Sequence, residues 1–162
     1  MTNDELKPIL DLHAKWKRGE SDGKRANLSG AYLSGADLRS AYLSDTKTDA
    51  KTQGWGLAVA RTRILPDGLL IGWKKCRNNV IVKLLVPMDA KRSHAFGRKC
   101  RAEYVQVVET FGSDVGISEH DRKTEYRNGQ FVRCDRWEEN WQLECGGGIH
   151  FFMTREEAEA YK

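Results

Sequence analysis

No apolar run in the 162-residue chain approaches the length of about 20 residues that spans a bilayer, so no membrane partner is expected. The opening residues, MTNDELKPIL, lack the basic and apolar regions of a secretory signal, which makes the cytoplasm the expected compartment. Proline is scarce, with three residues in all, so few segments are barred from regular structure. Cysteine is scarce too: Cys76, Cys100, Cys134 and Cys145 are the only four, and no two stand in a Cys-x2-Cys pair. In a reducing compartment they are expected as free thiols filling the core. A zinc site would have to draw Cys134, Cys145 and His150 from separate segments, and a Cys/His enzyme would need Cys100 or Cys145 beside His94, His120 or His150. Neither is the leading expectation, and no cofactor is expected.

What the chain does have is a repeat. From Ala26 to Asp45 it reads ANLSG, AYLSG, ADLRS, AYLSD, with alanine at 26, 31, 36 and 41 and leucine at 28, 33, 38 and 43. A five-residue period fits neither the helical turn nor the two-residue alternation of a strand, so each unit must contain its own corner. A chain that turns once per unit stacks its alanines and leucines inside a coil. Before it, Leu6, Ile9, Leu10, Leu12 and Trp16 recur at spacings of three and four. That predicts an amphipathic helix from Asn3 or Asp4 to about Lys17, with Pro8 tolerated near its first turn. After residue 50 the composition shifts to β-branched and aromatic residues.

The five-residue register resembles the pentapeptide-repeat family, whose members form a right-handed, four-sided β-helix with four units per coil. The resemblance implies that GKRAN at 23–27, followed by Leu28, is the entry from a capping helix. Four units make one coil, with a degenerate fifth at 46–50. One coil leaves an apolar end that the following domain or a second copy must cover, which predicts a homo-oligomer.

Beyond the repeat, strands are predicted at 55–63, 69–75, 80–86 and 102–111. The turn Pro66-Asp67-Gly68 follows the first, and Asn78-Asn79 joins the second and third. Asn128-Gly129 predicts a hairpin between Tyr126 and Phe131 to Arg133. A glycine loop at 146–148 opens a strand over 149–152, and Thr154 with Glu157 forms a capping box for a last helix. The fold class is thus mainly β: an N-terminal helix capping a short β-helix coil (1–53), continued by a compact β-rich domain with a short C-terminal helix (54–162).

Net charge is +4, unevenly spread. Residues 51–112 carry twelve basic and four acidic side chains, against seven and eleven in 113–162. Between Lys91 and Arg101 there is no acid at all, only Lys91, Arg92, Arg98, Lys99 and Arg101. Arginine forks and lysine ammonium groups in such density suit a phosphate, with Ser93, His94 and the Gly97 amide as further donors and the loop from Gly146 to His150 within reach. The same residues also read as a solvated basic loop. Trp137 and Trp141, four apart, either close a core edge or stack on a base.

GWKKC at 72–76, KRS at 91–93, GRKCRAE at 97–103, ECGGGIHFF at 144–152 and TREEAEAY at 154–161 resemble an uncharacterised domain found beside short pentapeptide repeats in phage and prophage proteins. The resemblance implies an accessory or counter-defence protein acting in the host cytoplasm. It carries no reaction. The expected function is binding: sequestering an anionic, phosphorylated or nucleotide ligand at Lys91, Arg92, Ser93, Arg98, Lys99, Arg101 and His150, or blocking a host protein.

Overall fold

A computed structural model describes residues 1–34, 36, 38, 41, 43, 45–95 and 97–162, leaving aside the side chains of 58, 59, 61 and 62. The chain forms two compact units. The first holds Met1–Ile64, Ala95–Gly97 and Gln142–Glu144; the second holds Leu65–His94, Arg98–Trp141 and Cys145–Lys162.

The first unit begins with helix α1, Asn3–Lys17. Thr2 caps it through a reciprocal box, accepting from the Glu5 amide while the Glu5 carboxylate accepts from the Thr2 amide. The helix starts at Asn3, as predicted, so Pro8 lies past the first turn, where it removes a helical hydrogen bond on the exposed side. The buried face of α1 presents Leu6 and His13. His13 Nδ1 accepts the Ala26 amide at 3.2 Å, and its ring stacks on Trp16 with centroids 5.3 Å apart. Gly23 packs against the backbone of Lys15 and Trp16 so closely that a Cβ there would collide with it. The GKRAN entry is therefore docked on α1, with the Lys24 amide donating to the Leu12 carbonyl at 2.9 Å.

The repeat then buries its alanines and leucines in register. Ala26, Leu28, Ala31, Leu33, Ala36, Leu38 and Leu43 are all buried, with Ala41 partly so. Gly35, Asp37, Arg39, Ser40, Tyr42 and Ser44 of the repeat lie outside the described residues. Parallel bridges join Asn27 to Lys47 and Tyr32 to Gln53, so the chain returns alongside itself after about four five-residue units. Among the described residues these bridges do not extend into a continuous ladder. Ile9 and Leu10 of α1 pack on the same core as Trp55.

Trp55 opens helix α2, Trp55–Thr62, where a strand had been predicted. The run WGLAVART contains no alternation to hold a strand, and the left-handed Gly54 (φ 76°) that starts the helix turns Trp55 onto the coil's core. Trp55 packs against the repeat's core from within the unit.

The second unit is β-rich. Strands β1 (Leu70–Lys75) and β2 (Ile81–Val86) form the predicted hairpin, and its turn puts Asn78 and Asn79 at positive φ. Two short strands, β3 (Arg92–Ser93) and β4 (Cys100–Ala102), follow where a loop had been predicted. Next come β5 (Tyr104–Phe111), β6 (Val115–Ile117), β7 (Glu125–Arg127), β8 (Phe131–Arg133) and β9 (Ile149–Phe151). Helix α3, Arg155–Ala160, carries the predicted Thr154 and Glu157 box. The sheets have orders β1-β2-β5-β8, β3-β4-β9 and β6-β7.

The Asn128-Gly129 turn is present, with Gly129 at φ 80°, but the strands it joins part company. β7 pairs with β6 and β8 with β5. Val107 holds the turn in place of a cross-turn ladder, since it donates to the Gln130 carbonyl and accepts from the Gly129 amide.

Candidate functional site

The cations between Lys91 and Arg101 are built into the second unit's own framework. Lys91 pairs with Glu139 at 2.5 Å and Arg98 with Glu157 at 2.5 Å. The Arg92 guanidinium donates to the carbonyls of Gly68, Pro87 and Met88 at 2.8–3.1 Å. The Ser93 hydroxyl donates to the Trp141 carbonyl at 2.7 Å. Arg101 is 1% exposed and donates to the carbonyls of Glu138, Gly147 and Asn140 at 2.7–3.1 Å, while its guanidinium lies 4.5 Å over the Trp137 ring. The expectation of Arg101 as a surface cation is therefore corrected. It is an internal clip, and its burial lowers its affinity for the proton while the nearby Glu138 carboxylate offsets part of that effect. Trp137 and Trp141 lie in irregular chain, not on a helical turn, and the Trp137 ring already holds Arg101.

Lys99 and His150 come together around a residue that the sequence reading passed over, Lys74 of β1. Three tertiary ties bring them there. Trp73 and Phe152 exchange both backbone hydrogen bonds, at 2.7 and 2.8 Å, which lays the end of β9 along β1. β9 in turn pairs with β4, placing His150 opposite Arg101 and Phe151 opposite Cys100. The end of α3 and the residue after it fold back on both: Lys75 donates to the carbonyls of Glu159 and Tyr161 at 3.1 and 2.8 Å, and Lys99 donates to the Tyr161 hydroxyl at 2.9 Å.

Lys74 Nζ donates to the His150 carbonyl at 3.3 Å and stands 5.6 Å over the ring of buried Tyr126. An ammonium has three N–H donors; among the described residues this one has a single acceptor and no carboxylate. Burial, which disfavours the charged form, lowers its pKa from the usual lysine value, and Lys99 pushes the same way, with weak opposition from Cys76 and Asp121. Lys99 itself lies 3.9 Å from Cys145 Sγ and 5.0 Å from the Tyr161 ring centroid. Lys74 with Tyr126 and Lys99 with Tyr161 thus form two ammonium–phenol pairs that act on each other through charge, a positive region suited to an anion.

The thiols differ among themselves. Burial pushes Cys76 up to about 11 and Cys100 up to about 12, which makes both poor nucleophiles at neutral pH. Cys134 is partly buried and Cys145 exposed. Among the described residues no group of three or more His, Cys, Asp or Glu side chains is placed to hold a metal, and no helix is long and apolar enough to cross a membrane.

The corner's ties run through GWKKC, GRKCRAE and ECGGGIHFF, and residues 60–158, which contain all three, match a family described as a family of unknown function (DUF5758). The chain belongs to the DUF5758 family. In this DUF5758 protein, residues 22–47 also match the description pentapeptide repeats (8 copies), the segment whose alanines and leucines form the core of the first unit. No curated protein and no solved structure matches the DUF5758 chain.

Proposed function

We propose that this protein binds and sequesters a phosphate-bearing anion, a nucleotide among the candidates, at the Lys74, Lys99, Tyr161 corner, without turning it over. The observation that carries the reading is Lys74: a partly buried ammonium with one long hydrogen bond and no carboxylate partner, beside a second lysine. Two like charges at close quarters repel, and an anion between them relieves the repulsion. The reading keeps Lys99 and His150 from the basic cluster and gives Lys91, Arg92, Ser93, Arg98 and Arg101 structural roles. We propose further that the repeat forms one coil of a right-handed β-helix, which the parallel bridges Asn27 to Lys47 and Tyr32 to Gln53 support. On this reading the coil is a platform and the chemistry lies in the second unit, in keeping with a phage-type accessory or counter-defence role.

The test is calorimetry with inorganic pyrophosphate and with AMP at low and high salt. Binding should weaken as salt rises, because charge interactions are screened within about 8 Å at physiological ionic strength. It should vanish in Lys74→Gln and persist in Lys91→Gln. Binding unaffected by Lys74→Gln, or no heat with either probe, would overturn the assignment.

A second reading, a module that blocks a host protein, has its own observation. Ile71, Leu85, Gln106 and Phe131 stand in one row across β1, β2, β5 and β8, and Ile71 and Phe131 are exposed. Exposed apolar side chains at both ends of one sheet row suit a protein partner. Phe131→Ser would abolish capture of such a partner and leave pyrophosphate binding intact.

A further inference from the structure

We propose that His13 is an acid-sensitive latch, which holds α1 on the entry to the repeat while its ring is neutral and releases it when the ring takes up a proton. The inference lies wholly in the first unit and is independent of the anion site. Its basis is a buried titratable group whose proton position is defined by a hydrogen bond. His13 has no surface exposed to solvent, and its Nδ1 accepts the Ala26 amide at 3.2 Å. A ring nitrogen that accepts a hydrogen bond carries no proton, so the docked ring is neutral with its one hydrogen on Nε2. A second proton has to go on Nδ1, where it faces the Ala26 N–H, donor against donor, out of reach of water. The charged ring and the docked geometry therefore exclude each other.

The seam around this bond is narrow. Gly23 lies against the backbone of Lys15 and Trp16 with no room for a Cβ, and the Lys24 amide donates to the Leu12 carbonyl at 2.9 Å. Ala26 carries the connection onward. Its carbonyl accepts the Lys47 amide at 3.0 Å, and the Lys47 carbonyl accepts the Leu28 amide at 2.7 Å, so one residue joins α1 to the segment that returns alongside the repeat. Among the described residues, the charged groups on the segments that meet here are Lys15 and Lys17 of α1, Asp22, Lys24 and Arg25 of the entry, Asp45 and Lys47 of the return, and Glu144. The carboxylates are engaged already: Asp22 pairs with Lys15 at 2.5 Å, and Asp45 and Glu144 pair with Lys17 at 2.8 and 3.5 Å. The Trp16 ring on which His13 stacks has the Arg25 guanidinium 5.7 Å from its centroid. A charged imidazole would thus join a set in which the cations outnumber the carboxylates.

The test is amide hydrogen exchange by NMR on the full chain, at about pH 7.5 and about pH 5.5, one unit either side of the ordinary histidine value of about 6.5. Rates are corrected for the intrinsic pH dependence of exchange. In the released state His13 behaves as an ordinary histidine, so the hold of the neutral ring is fully present above about pH 6.5 and is lost below it, by about tenfold in the first unit of pH. Protection of the Ala26 and Lys24 amides should fall about tenfold at the lower pH, while the β1 and β2 amides of the second unit keep theirs. His13→Asn, which retains a side-chain oxygen acceptor and cannot titrate, should show the same Ala26 protection at both pH values. If that variant does not fold, the native chain decides alone, since its ring nitrogen resonances should place the His13 proton on Nε2 at the higher pH. Unchanged Ala26 protection at the lower pH, a loss spread equally over both units, an equal loss in His13→Asn, or a proton on Nδ1 at the higher pH each overturns the latch.

Discussion

The two units differ in what their sequence controls. In the first, position within a five-residue unit tracks burial: the alanines and leucines of the repeat are buried, Ala41 partly so, whatever residues stand between them. In the second, position in the sequence decides little. Arg98 and Arg101 are three residues apart and equally basic, yet one is an exposed partner of Glu157 and the other is a buried clip on carbonyls. A repeat encodes its packing locally; a mixed set of short strands encodes it through partners far along the chain.

The largest effect that can test this contrast is in the coil. Leu28 is fully buried, and Leu28→Ala should destabilise by about 2–5 kcal/mol through lost contacts and the cavity left behind. Thermal unfolding checks it, at about 2–4 °C per kcal/mol for a chain of this size. An unchanged midpoint would mean that the repeat is not a packed core.

Arg101→Gln comes next and addresses the second unit. It strips a charged donor from the carbonyls of Glu138, Gly147 and Asn140, and hydrogen bonds to charged groups contribute about 1.5–3 kcal/mol each, so a loss of at least about 3 kcal/mol is expected by denaturant titration. Lys91→Gln, at an exposed pair, should leave the midpoint where it is. Equal effects from the two substitutions would erase the distinction between buried clip and surface pair. The smallest effect belongs to the α3 cap, where Thr154→Ala should cost about 1 kcal/mol.

Much of the fold was legible because its signals are local. The α1 periodicity, the repeat, the Asn78-Asn79 turn and the Thr154 capping box each depend on residues within one or two turns of each other, and the structure has them all. The failures have a common cause in distant partners. The state of Trp55–Thr62 depends on the repeat core against which Trp55 packs. The strands flanking Asn128-Gly129 separate because β5 and β6 compete for them. The candidate site was half legible. Lys99 and His150 were singled out on charge and motif, but charge density says nothing of burial, so Arg101 was misread. Lys74 sat inside GWKKC without distinction, since it is the tertiary Trp73 to Phe152 bridge that brings the His150 carbonyl to it. A lysine in a predicted strand with no acid nearby in sequence was the available signal.

The account's central claim is that Lys74 is a desolvated ammonium waiting for an anion. The most direct measurement is a pH titration of the lysine Cε resonances by NMR, with and without inorganic phosphate. Lys74 has a pKa lowered from the usual value by burial and by Lys99, so it should lose its proton at lower pH than the other lysines. Bound phosphate favours the charged form, so its midpoint should move up when phosphate is added. If Lys74 titrates with the surface lysines and phosphate moves no lysine resonance, the corner is not an anion site and the account is wrong.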